Sequence, residues 1–163
     1  MSQATKSQID PLNQNNYGAI TAMLTVTDVQ KTYEFCQKAF GFEGRGVMQG
    51  PDGKPMHAEL KLRNSVLMLG PECPERQGYS AKTLGNTATT LYLYVEDVDK
   101  SAKQAANAGA TLLQPPTDMF WGDRTAMLVD SDGNKWMLGT HKSEPTPEQM
   151  DAAMKKQFAE MSK

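Results

Sequence analysis

The chain has 163 residues, with 17 Lys plus Arg against 19 Asp plus Glu and a formal net charge of -2. That length suits one globular domain with a real hydrophobic core, and the balanced charge offers neither a basic footprint for nucleic acid nor a polybasic face for anionic lipid. No eighteen consecutive apolar residues occur and the N-terminal MSQATKSQIDPLNQNNYG has no apolar signal core, so a cytoplasmic protein with no nucleic-acid or membrane partner is expected.

Residues 1–17, rich in Gln, Asn and Ser without periodicity, read as a flexible N-terminal arm. Ala19 to Val26 then has strand character, and Thr27 with Gln30 suggests a capping box opening a helix that places Val29, Tyr33, Cys36 and Phe40 on one side before Gly41. Three strand-like pieces follow, Glu43 to Gln49, MHAELKLR after a PDGK turn, and SVLMLG after Asn64. Residues 71–87, which begin PECPERQGYSAKTLGN, read as a linker or flap. Beyond it the order repeats: TTLYLYV is a strand, Asp97 opens a helix with Val98, Ala102, Ala105 and Ala106 inward, TLLQPP is a short or edge strand, FWGDRTAMLV is a longer one, and NKWMLG closes the series after a DSDG turn.

Val26, Asp28, Val29 and Lys31 lie 69 positions before Val95, Asp97, Val98 and Lys100, and Met68-Leu69-Gly70 lies 69 positions before Met137-Leu138-Gly139. One offset shared by the helix starts and the final strands points to a duplicated βαβββ module, about 19–70 and 88–140 within a domain of residues 18–142. The expected class is α+β, each helix covering one face of its sheet. Alternation gives the covered face Leu24, Val26, Leu60, Leu62, Leu67, Leu69, Leu91, Leu93, Leu128, Trp136 and Leu138. The opposite face collects Thr21, Met23, Thr25, His57, Glu59, Lys61, Met68, Thr90, Tyr92, Tyr94, Asp123, Thr125, Met127, Lys135 and Met137, a polar and soft mixture that suits a concave ligand-binding cup.

ITAMLTVTDV, MHAELKLRNSVLMLG, LYLYVEDVD and FWGDRTAMLVDSDGNKWMLGTH together resemble the vicinal-oxygen-chelate superfamily of glyoxalases, bleomycin-resistance proteins and extradiol dioxygenases, above all its subgroup named after the phosphonate-operon protein PhnB. The resemblance implies two βαβββ modules forming a paired, cup-like mixed sheet, commonly in a homodimer, and a divalent metal held by first- and last-strand side chains. Those positions fall on Thr21 and Thr90 and on Met68 and Met137, where relatives with a metal carry His and Glu. A threonine hydroxyl and a thioether are poor donors to hard or borderline cations. The expectation is therefore no cofactor and no metal, the alternative being one divalent ion; two facing thioethers would suit Cu(I).

His57 and Glu59, about 6.5 to 7 Å apart along one strand face, are the candidate catalytic pair, for acid/base work or, with His141, as relocated metal ligands; His141 lies beyond the last strand with nothing to make it converge. Trp121 could stack on a planar ligand. The other reading is a local Asp123–Arg124 pair and a buried Trp121; alternation points Asp123 toward the cup and Arg124 away, which favours the local reading for Arg124 over anion binding, while Trp121 stays among the cup residues. Cys73 has Arg76 nearby but no local histidine, a weak case for a nucleophile. Residues 143–163 are expected to form a C-terminal amphipathic helix with Met150, Met154, Phe158 and Met161 on one stripe. Two functions stay open: binding of an apolar or aromatic small molecule, and glyoxalase-like lyase, isomerase or dioxygenase chemistry.

Overall fold

A computed structural model describes residues 10–13 and 15–161, with side chains to residue 159. The order is β1 (Ala22–Val26), α1 (Val29–Phe40), β2 (Glu43–Gln49), β3 (Pro55–Leu62), β4 (Ser65–Pro71), a 3-10 turn at Pro74–Arg76, α2 (Ala81–Leu84), β5 (Thr90–Tyr94), α3 (Val98–Asn107), β6 (Thr111–Asp118), β7 (Asp123–Val129), β8 (Lys135–His141) and α4 (Pro147–Met161). The chain divides into two compact units, one running to Gln37 and then from Gly41 to Ser80, the other comprising Lys38–Phe40 and Ala81 onward. Each holds a four-stranded mixed sheet, in the orders β1-β4-β3-β2 and β5-β8-β7-β6. Both sheets join their first and last strands in parallel and their other neighbours antiparallel. This is the βαβββ repeat expected from the sequence.

The helix starts are equivalent, but not through a Thr27–Gln30 box. Asp28 is the N-cap of α1, its carboxylate accepting the Lys31 N–H at 2.9 Å, and Asp97 caps α3 by accepting from Lys100 at 3.0 Å. An aspartate in extended conformation reaches the third helical N–H directly, so Thr27 is left outside the helix. Thr140 adds a second tie at α3: its hydroxyl accepts the Val98 N–H at 2.8 Å and donates to the Val95 carbonyl at 3.0 Å.

The aliphatic face is core in both units. Val26, Ala58, Leu60, Leu67 and Leu69 are buried in the first, and Leu93, Ala126, Leu128, Trp136 and Leu138 in the second, where α3 buries Val98, Ala102 and Ala105. Each full burial of a Leu-sized side chain stabilises by about 2 kcal/mol. The DSDGN turn is organised by Asp130, whose carboxylate accepts from the backbone of Asp132 and Asn134, both at 2.9 Å, from the Asn134 amide, and from the Trp136 indole N–H at 3.0 Å. Phe40 stacks at 4.6 Å on Trp136, a ring with no exposed surface.

β6 is longer than the TLLQPP segment and continues to Asp118. It pairs on one side only and shifts register between Leu112 and Gln114 and again between Gln114 and Thr117, which is how an edge strand accommodates Pro115 and Pro116 with no N–H to give. Nor is the arm free throughout. Asn15 and Asn16 carbonyls accept from Lys61 and Arg45, and Tyr17 reaches β3; polar cross-links of this kind leave no periodic trace in sequence. Residues 1–9 lie outside the described set. The linker is likewise partly structured, with α2 burying Ala81 and with Ser80 fully buried, its N–H donating to Glu72 at 2.8 Å.

α4 begins at Pro147 rather than at residue 143, with Met150 and Met154 half-buried and Phe158 exposed, and the Met161 side chain lies outside the described set. Among the described residues no helix is long and apolar enough to cross a membrane.

Candidate functional site

The polar face of each sheet is laid out by register. In the first unit Met23 stands beside Met68, and Met68 beside Glu59; in the second Tyr92 stands beside Met137, and Met137 beside Met127. Met23 is 61% exposed and Tyr92 40%, while Met68, Met127 and Met137 are half-buried. The glycine of each MLG triplet explains how the first-strand side chains lie. A Cβ on Gly70 would meet the Met23 methyl at 2.9 Å, and one on Gly139 would fall within the Tyr92 phenol. Each glycine is therefore the floor on which the first-strand side chain rests.

Thr21 is not on β1, which begins at Ala22; its hydroxyl makes a long 3.4 Å bond to the Gly18 carbonyl. Thr90 is on β5, opposite Lys135. Neither pair, Thr21 with Met68 or Thr90 with Met137, is a set of carboxylate or imidazole donors, and Lys135 adds a cation beside Thr90. The donor chemistry does not fit a hard divalent metal. Among the described residues no group of three or more His, Cys, Asp and Glu is arranged to hold one.

His57 and Glu59 do meet, His57 Nε2 lying 3.5 Å from Glu59 Oε1, beside a cleft of about 270 Å³ that Arg45 and Met48 also line. Glu59 is already committed elsewhere. The Tyr17 hydroxyl lies 3.0 and 2.8 Å from its two oxygens, and Arg45 Nη1 lies 3.4 Å away while its guanidinium covers the Tyr17 ring at 4.7 Å. The bond to Glu59, reinforced by burial, raises the Tyr17 pKa.

A second cluster lies in the other unit. Asp123, 4% exposed, accepts at Oδ2 from the Tyr92 hydroxyl at 3.0 Å and the Tyr94 hydroxyl at 3.3 Å, while its Oδ1 faces His141 Nδ1 at 2.9 Å. The Trp121 side chain lies near the same carboxylate and helps to hold it ionised. Burial pushes Asp123 upward, but the bonds from His141, Tyr92, Trp121 and Tyr94 together outweigh it and hold it below the usual carboxylate range. Burial first, and then the bond to Asp123, raises Tyr92. The Asp123 contact, opposed by burial and assisted by Glu144 at 3.0 Å from Nε2, raises His141.

His141 meets Asp123 within its own unit. β8 runs two residues past the MLG triplet, and the register places His141 opposite Asp123. The pairing was hidden because the strand end could not be read from Thr140 and His141 alone. The WGDR segment also differs from expectation. Trp121 and Gly122 form the turn before β7, Trp121 is half-buried and stands edge-on to Phe120 at 5.0 Å, and Arg124 pairs with Asp99 at 2.8 Å and Asp118 at 3.1 Å, not with Asp123. Alternation had the directions right and the partner wrong, because Asp99 is brought over by α3. Cys73 has no histidine partner here; its thiol lies 3.5 Å from Glu75.

Stability should carry the signature of this pair. The raised His141 value means that its ion pair stabilises the fold fully below its unfolded pKa of about 6.5 and that this is lost as pH rises through the folded value. The lowered Asp123 value acts at the other end, its contribution being present above its unfolded pKa and lost as pH falls through the folded one. The melting-temperature difference between the wild type and His141→Gln should therefore shrink from about pH 6 to about pH 9; a difference that is flat with pH would contradict the assignment.

The model of the Glyoxalase/Bleomycin resistance protein/Dioxygenase superfamily matches residues 18–138. The uncharacterised protein Rv0887c of Mycobacterium tuberculosis is 35% identical over 158 residues, 95% of this chain and 93% of that protein. An uncharacterised protein of Mycobacterium bovis is 37% identical over 142 residues, covering 85% of this chain and 93% of its own length. Among solved structures, TioX from Micromonospora sp. ML1 is 26% identical with a TM-score of 0.60, covering 75% of this chain and 97% of that one. A glyoxalase/bleomycin resistance protein/dioxygenase from Nocardioides shares the fold at 18% identity and a TM-score of 0.61, over 79% of this chain and 87% of its own. The sheets, the repeat and the matched span agree, and the chain belongs to the Glyoxalase/Bleomycin resistance protein/Dioxygenase superfamily.

Proposed function

We propose that this chain is a metal-free small-molecule binding protein of the superfamily, closest to the PhnB-like subgroup, that sequesters or carries an apolar or aromatic compound in the manner of a bleomycin-resistance protein. It acts as a cytoplasmic homodimer. The observation that carries the reading is that Met68 and Met137 occupy the last-strand positions, with Met23 and Tyr92 as their strand neighbours. Soft, polarisable side chains there favour packing against a ligand over coordination of a hard cation. Catalysis by His57 and Glu59 is disfavoured because the Tyr17 hydroxyl is hydrogen-bonded to both Glu59 oxygens.

The test has two parts. Protein purified without chelators or nickel resin should contain well under one equivalent of Ni, Zn, Mn or Fe by elemental analysis. Titration with a panel of neutral aromatic compounds should quench fluorescence, with Trp121 as the reporter since Trp136 is fully buried. Gly139→Ala should weaken that binding about tenfold by lifting Tyr92. A full equivalent of metal, or a panel with no binder, would overturn the reading.

A further inference from the structure

The second-unit cluster carries more than a general apolar surface. Two aromatic side chains, Tyr92 and Tyr94, direct their hydroxyls to one carboxylate, Asp123, with Trp121 beside it. The two phenol rings lie 5.0 Å apart and are 40% and 52% exposed, whereas the carboxylate beneath is 4% exposed. We propose, as a refinement that rests on the binding reading above, that this surface recognises an organic cation of the quaternary or methylated ammonium class.

Two arguments select that class. Asp123 stays ionised, but it already accepts from Tyr92 and Tyr94, faces His141 at 2.9 Å and is only 4% exposed. A ligand N–H therefore reaches its oxygens poorly, and a primary ammonium, which needs three acceptors, would be poorly solvated there. What Asp123 still supplies is its field, together with phenol rings made richer in electrons by donating to an anion. Both attract positive charge without requiring a directional hydrogen, which is the situation of a methylated ammonium against aromatic faces.

Of the neighbouring cations, Arg124 is neutralised by Asp99 and Asp118, Lys135 keeps its charge and is turned to the Asn86 amide oxygen at 3.1 Å, and the single charge of a protonated His141 is shared between Asp123 and Glu144. The carboxylates around His141 thus exceed it by one charge, and Met127 and Met137 extend the same face with polarisable sulfur.

The test compares phenyltrimethylammonium with tert-butylbenzene, which has the same shape with carbon in place of the charged nitrogen. Binding is followed by Trp121 fluorescence and by shifts of the tyrosine ring protons. The cation should bind about tenfold more tightly. Tyr94→Leu should abolish that preference, and Tyr94→Phe, which keeps the ring face and loses the bond to Asp123, should retain most of it, both variants being checked for folding by the buried Trp136 signal. Equal affinity for the two probes overturns the cation class and leaves the binding reading standing. Binding of neither, by a protein that still binds a member of the neutral panel, also overturns the cation class alone, and binding of nothing in either experiment overturns both.

Discussion

Asp130→Ala is expected to lower the unfolding free energy by about 4 kcal/mol, read from urea denaturation midpoints. The carboxylate is 7% exposed and accepts from two backbone N–H groups, one side-chain amide and the Trp136 indole, so removing it strands several donors in a buried turn. Each stranded donor costs about 1 to 3 kcal/mol, and partial hydration of the turn keeps the sum below simple addition. Asp130→Asn keeps one acceptor oxygen and should cost about 1 to 2 kcal/mol. If Ala and Asn were equally mild, the turn would not depend on this acceptor.

Gly122→Ala should destabilise by about 3 kcal/mol, with a lowered thermal midpoint and a loss of the His141 pH signature. Gly122 has φ +97°, which an L side chain adopts only with strain, and an added Cβ would press on the Ser143 backbone, with Pro145 Cδ at 2.8 Å. Its carbonyl also accepts the N–H groups of Lys142 at 2.9 Å and Ser143 at 3.1 Å. The substitution therefore pushes away the segment that carries Glu144 and ends β8, and the Asp123–His141 contact loosens with it. A variant with wild-type stability and an intact pH response would show that the segment can shift without consequence.

The fold was legible because duplication repeats its punctuation. Asp28 and Asp97, and the two MLG triplets, keep one spacing because helix caps and the last strands are fixed by local chemistry. The site was less legible because strand partners depend on turn length. Leu62 and Ser65 pair across two residues, whereas the turn joining β7 to β8 closes between Asp130 and Asn134 across three. That single residue moves β7 by one position against β3, so that Met127 rather than Leu128 stands where Glu59 does. The partnership of Tyr17 with Glu59 spans 42 positions from a polar segment without periodicity, and that of Asp123 with His141 spans 18 and depends on where β8 stops. Alternation finds the face on which such residues stand and not the residue each of them meets.

Gly70 and Gly139 have a bearing on how such a protein changes its ligand over time. Each glycine leaves the overlying side chain without a fixed outline beneath it, so the position above, 23 in one copy and 92 in the other, accepts a thioether or a phenol on the same backbone. Two copies built this way can diverge independently, one substitution at a time, while the buried leucines beside the glycines hold the sheet. The duplicated glycine is thus a source of evolutionary latitude located in the frame itself.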